Sequence, residues 1–139
     1  MDASTVAINE RLRTALGEFL EFDLDDDGDL YADYPGTRAY FAPVSLADEH
    51  MAVHVYCVVD QALPPAPALF RWIAVKSRLY RFGTLGAVVR EDARVDVIFS
   101  HHVIIDHLTD EDVRATVLPV VSTAGELHGE AHSLFAEAQ

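Results

Sequence analysis

From residue 50 to residue 60 the chain reads HMAVHVYCVVD, and apolar side chains recur at every second position: Met51, Val53, Val55, Cys57 and Val59. Only an extended strand puts all five on one face, so the pattern predicts a strand with a wholly apolar, buried side. The other side carries Ala52, His54, Tyr56 and Val58, which suits neither open water nor a full core. β-branched content and the turn formers that follow (Asp60, Pro64, Pro65) favour strand over helix. A long strand with one dry face and one mixed face belongs inside a sheet, as its central member.

Other stretches change period. Ile8, Leu12, Ala15, Leu16, Phe19 and Leu20 follow a helical rhythm over residues 4–22, with Ser4 or Asp2 as the candidate cap. Short strands are predicted at 29–33 and, after the turn at Pro35 and Gly36, at 37–44. Pro67 suits the first turn of a second helix, whose apolar side is Leu69, Trp72, Ile73, Leu79 and Tyr80 and whose stop is Gly83. Strands at 84–91 and 94–102 flank a turn at Asp92 and Ala93. Leu85, Ala87 and Val89 make one face of the first, and Val95, Val97 and Phe99 one face of the second; Val88 and Ile98 point the other way.

Thr109 to Asp112 reads as a capping box with Asp in place of Glu. From there Val113, Val117, Val120, Ala124, Leu127, Ala131 and Leu134 are spaced 4-3-4-3-4-3, the cleanest helical stripe in the chain. Pro119 inside it predicts a kink. Gly125 and Gly129 each weaken it by roughly 1 kcal/mol relative to Ala, so packing must hold the helix together. The order α-β-β-β-α-β-β-α implies an α+β fold: a five-stranded antiparallel sheet with helices on one face.

A chain of 139 residues, half of them hydrophobic, suits a single domain spanning 1–139 with a core of its own. The lone Cys57 excludes an internal disulfide and fits a reducing compartment. With no signal-peptide pattern at the start, the expected location is the cytoplasm. No run approaches the ~18 apolar residues of a membrane span, so no membrane partner is expected. A net charge of −13 repels phosphate backbones and argues against nucleic acid. The charge is segregated. Residues 14–37 hold eight acids and no Lys or Arg, whereas Arg71, Lys76, Arg78, Arg81, Arg90 and Arg94 cluster downstream. Two solvated faces of opposite sign explain this, as does complementarity within the fold or between two copies.

Asp23, Asp25, Asp27 and Asp29, with Gly28 and Leu30, match the first eight positions of a calcium loop. Position twelve, where a bidentate Glu belongs, is Tyr34, and Pro35 follows where a helix is needed. An acidic connection with Gly28 at a positive-φ turn is the better reading. His101 and His102 face opposite ways on a strand, while Asp106 and His107 lie near the start of the last helix. His128 and His132 are i, i+4 neighbours able to chelate a metal on their own, yet no carboxylate or third His has the spacing to complete a site. The expectation is no cofactor and no tightly bound calcium or transition metal. No nucleophile motif or phosphate-cradling loop is present, and Cys57 alternates onto a buried face, so no catalytic residue is assigned.

Certain phrases carry a resemblance. Asp27-Gly28-Asp29 enters a strand, Arg81-Phe82-Gly83 ends a helix, and the run from Val103 to Val113 precedes Ala124-Gly125-Glu126-Leu127-His128 and Leu134-Phe135. In this order the chain resembles the YbjN-like proteins, a group related in fold to type III secretion chaperones. It departs from them at Pro119 and Gly125, inside a helix usually unbroken. The resemblance implies a non-enzymatic module that binds a protein or peptide client, often as a homodimer. His54, Tyr56, Val58, Val88 and Ile98, on the mixed sheet face, are the candidate partner-binding residues. The alternatives are an acidic inhibitor that blocks a basic partner surface and a metal-dependent enzyme using the histidines.

Overall fold

A computed structural model describes residues 3–45 and 50–136. Helix α1 (Ala3–Leu16) leads into strands β1 (Phe22–Leu24), β2 (Leu30–Tyr34), β3 (Thr37–Ser45) and β4 (Met51–Leu63). Helix α2 (Pro67–Lys76) ends in a 3-10 turn (Ser77–Leu79), and β5 (Thr84–Val89), β6 (Val95–Ile104) and α3 (Asp110–Phe135) complete the order. The strands form one antiparallel sheet in the order β1-β2-β3-β4-β6-β5. The long strand β4 therefore lies between β3 and β6, as its alternation requires. Val53, Val55, Cys57 and Val59 are buried; Met51 is partly so and still packs on the core. Burial pushes the Cys57 thiol up to about 12, so it stays an inert core side chain.

One sheet face carries the core. Ala39, Phe41, Val55, Cys57, Val97 and Phe99 meet Leu12 and Leu16 of α1, Leu69 and Ile73 of α2, and the stripe from Val113 to Ala131 of α3. Leu134, the last member of that stripe, is exposed. All three helices serve this cluster, and none of its residues comes from the side of β4 that carries His54, Tyr56 and Val58.

The sheet has six strands where the sequence predicts five. The expected helix over 4–22 stops at Leu16, where Gly17 closes the last turn on the Arg13 carbonyl (2.9 Å). Phe22 is thereby freed to pair opposite Ala32 and to set its ring edge-on against Phe41 at 5.2 Å. Ser4 sits inside α1 rather than capping it, and the alternative cap Asp2 lies outside the described residues. Residues 77–83 leave the α-helical path before Gly83, whose φ of 96° and contact with the Phe99 ring leave no room for a Cβ. At the sheet edge only Leu85 of β5 is covered, and the expected partners Ala87 and Val89 are exposed. One helix continues on both sides of Pro119. Among the described residues no helix is long and apolar enough to cross a membrane.

Candidate functional site

The uncovered face of the sheet is aromatic. Register places Tyr31, Tyr40 and Tyr56 opposite one another on β2, β3 and β4, and His54 opposite His102 of β6. Their rings form a continuous ladder. Tyr31 and Tyr40 lie 5.9 Å apart, Tyr40 stacks on Tyr56 at 4.9 Å, Tyr56 leans on His54 at 5.4 Å, and His54 stacks on His102 at 4.1 Å. Tyr31, Tyr40, Tyr56 and His54 are half-buried while His102 is exposed, and the three helices of the described residues pack into the core on the other face. Arg38 extends the ladder over the Tyr31 ring at 4.6 Å and grips Asp33 through two bonds of 2.6 and 3.1 Å. That guanidinium holds the Asp33 carboxyl below the usual carboxylate range. Partial burial, then repulsion by His102, lowers the His54 pKa, so this ring stays neutral.

Of the sequence candidates, the fold brings His54, Tyr56, Val58 and Ile98 together: Val58 pairs with Ile98 directly across β4 and β6. Val88 lies on the outermost strand, 54% exposed. Tyr31 and Tyr40 were hidden in the sequence. Their alternation within two predicted strands carried a signal, but only the register joins them to Tyr56.

The acidic phrase is a hairpin loop between β1 and β2. Asp25 Oδ1 accepts the backbone N–H of Asp27 and of Asp29, each at 2.9 Å, and Gly28 supplies the φ of 84°. Asp23 and Tyr34, positions one and twelve of the calcium pattern, are strand residues. Burial and then Asp25 and Asp27 raise the Asp29 pKa. The loop also reaches the ladder: burial, Tyr40 and then Asp25, Asp29 and Asp27 raise the Tyr56 pKa. The aromatic face is thus bordered by negative charge.

A bulge in β4 alters the other end. Strict alternation would keep Asp60 beside Val58 on the uncovered face. Pairing with β6 slips there: Val58 lies opposite Ile98 and Asp60 opposite Val97, so one extra residue turns Asp60 towards the helices. Its side chain is only 11% exposed. From α3, His132 Nδ1 lies 3.1 Å from Asp60 Oδ2, and His128 Nδ1 donates to the Val59 carbonyl at 2.6 Å. The sequence reading that no carboxylate completes the pair is corrected: Asp60, far away in the chain, stands beside both histidines. A pocket of about 310 Å³, bounded by Thr37, Arg38, Tyr40, Val58, Asp60 and His128, joins this cluster to the ladder.

At the opposite end of β4, His50, Asp106 and His107 form a second group, in which Asp106 binds His50 Nδ1 (3.1 Å) and the Met51 N–H. His101 faces away from His102, as alternation requires, and accepts the Gly83 N–H at 3.2 Å. A separate apolar groove of about 690 Å³ lies between Trp72 and Val75 of α2 and Leu134 and Phe135 of α3.

Neither a protein-family model nor a curated protein sequence matches the chain. Its fold does match a solved structure: YbjN from E. coli, described as a candidate transcription regulator. The two share 14% identity at a TM-score of 0.66, covering 93% of this chain and 96% of that one. The chain therefore has the YbjN fold, which is α+β as the resemblance implied; its antiparallel sheet carries six strands rather than the expected five.

Proposed function

We propose that the chain is a non-enzymatic, chaperone-like or regulatory module that holds an exposed segment of a partner protein on its uncovered sheet face. The observation that carries this is the ladder from Tyr31 to His102, four strands wide. Tyrosines offer large contact area at small conformational-entropy cost, and aromatic anchors dominate binding energy. His54, Tyr56, Val58 and Ile98 form the centre of the contact and Val88 its margin. The occupant is a segment that mixes basic and apolar residues. Its Lys or Arg groups meet the Asp25, Asp27 and Asp29 carboxylates and lie over tyrosine rings, while its apolar side chains cover Val58 and Ile98. A part in transcription would then run through a protein, because a charge of −13 repels phosphate. A reducing, cytoplasmic setting suits the free Cys57.

Fluorescence anisotropy with labelled peptides of alternating Lys and Phe, and their Glu counterparts, tests the reading. The basic peptide should bind saturably and the acidic one should not, and Tyr40→Ala with Tyr56→Ala should weaken binding at least tenfold. Equal binding by the double variant would refute it. Complete loss at roughly 0.5 M salt would instead favour an acidic inhibitor that acts by charge alone.

Self-association is a second part of the proposal. Edge strand β5 leaves Val88 and Val89 54% and 60% exposed, and pairing two such edges about a twofold axis would build a homodimer without covering the ladder.

A further inference from the structure

We propose that His128 and His132, backed by Asp60, form a binding site for a divalent transition-metal ion of the zinc class. The site stands apart from the docking reading and rests on different residues.

Spacing and orientation carry it. Residues four apart on a helix lie on one face, and the two imidazole centroids are 5.2 Å apart with rings inclined by 32°. Each ring is held through the same nitrogen. A carbonyl oxygen can only accept, so His128 Nδ1 carries its proton towards Val59 O at 2.6 Å. A carboxylate likewise accepts from His132 Nδ1, at 3.1 Å. Both Nε2 atoms are then left with free lone pairs. Metal-binding histidines are fixed in this way, with the second nitrogen donating to a backbone carbonyl or carboxylate that sets the tautomer and raises basicity.

Asp60 supplies the charge. Its side chain is largely buried, its Oδ1 accepts the Gln61 N–H at 2.9 Å, and its Oδ2 faces His132. The guanidinium on the shared pocket, Arg38, is already paired with Asp33. A divalent cation held by the two Nε2 atoms would therefore bind to a ring polarised by a carboxylate whose charge no neighbouring arginine takes up. The pocket beside His128 gives room for water in the remaining coordination positions. Imidazole ligands suit zinc, nickel and copper and not calcium. The group at His50, Asp106 and His107 is less prepared, because its two imidazoles are 6.4 Å apart and nearly perpendicular and do not share one helix face.

Calorimetric titration of the untagged, chelator-treated chain with Zn²⁺ tests the site. One ion per chain should bind saturably. His132→Ala should weaken binding at least tenfold, and Asp60→Asn, which removes an outer partner, about 10–100-fold. His132 is 60% exposed, so its variant should fold, which circular dichroism verifies; His128→Ala gives a second reading. The double variant His50→Ala with His107→Ala should keep full affinity. No saturation by roughly 100 µM Zn²⁺, or affinity retained in His132→Ala, would overturn the proposal. So would affinity lost only in the His50 and His107 variant.

Discussion

Gly125 and Gly129 lie one turn apart on α3, and their surroundings give them opposite roles. A Cβ on Gly125 would sit 2.3 Å from the Pro35 carbonyl oxygen, and one on Gly36 would sit 2.7 Å from the Gly125 carbonyl oxygen. The β2–β3 turn thus presses its backbone onto the helix, and Gly36 also has a φ of 84°. Nothing lies within 4 Å of a Cβ on Gly129. Gly125→Ala should destabilise the protein by about 1–3 kcal/mol through overpacking, despite alanine's better helix propensity. Gly129→Ala should stabilise it by up to about 1 kcal/mol. Urea denaturation of the two variants reads both signs. In the sequence the two glycines look alike, since each stands in the same helix outside its apolar stripe, and only the distant turn separates them. Asp60 was illegible for a related reason: alternation assigns it to one face and an inserted residue moves it to the other.

At the level of elements, local chemistry settled what periodicity could reach. Thr109 Oγ1 accepts the Asp112 N–H at 3.1 Å and Asp112 Oδ2 accepts the Thr109 N–H at 3.4 Å, the reciprocal cap that the sequence announces. Arg11 of α1 adds a clamp, bonding the Asp110 carboxylate and, at 2.5 Å, the Leu108 carbonyl. Thr109→Ala should lower stability by about 1 kcal/mol, measured as a shift in denaturation midpoint at unchanged slope. The apolar stripe of α3 and the alternation of β4 were legible because each element meets the core along most of its length. β1 was not, because three residues carry too little pattern and Phe19 and Leu20 extend the helical rhythm past Gly17. Packing then separates those two: Leu20 is buried, whereas Phe19 is 53% exposed. The outer half of β5 failed for the converse reason: Ala87 and Val89 alternate like core residues on a strand that no helix reaches.

For the whole molecule, the helices spend themselves on one side of the sheet, leaving an aromatic face, an open edge and a separated charge distribution. Face and edge meet only at Val88, so a dimer built on β5 can still present two ladders. Light scattering at micromolar concentration should give twice the 15.4 kDa chain mass, and Val88→Lys with Val89→Lys should return it to 15.4 kDa. A monomer throughout would refute the dimer. A dimer sensitive to Tyr56→Arg and indifferent to the β5 changes would assign the face to a second copy. Moderate salt should leave the contact intact, since exposed ion pairs contribute little beside buried valines.

Trp72 is the chain's single tryptophan, and it lies at the junction of α2 and α3, its Nε1 donating to Glu130 at 3.0 Å and its ring edge-on to Phe135 at 5.7 Å. The ladder tyrosines occupy the opposite side of the sheet. Two native chromophores therefore watch two parts of the molecule. Indole emission follows the seam between the helices, and near-ultraviolet tyrosine dichroism draws on the neighbouring rings of Tyr31, Tyr40 and Tyr56 over the background of Tyr34 and Tyr80 on the core. A ligand seated on the ladder would change the second signal while leaving the first still, so occupancy and loosening of the fold can be told apart optically, without a label.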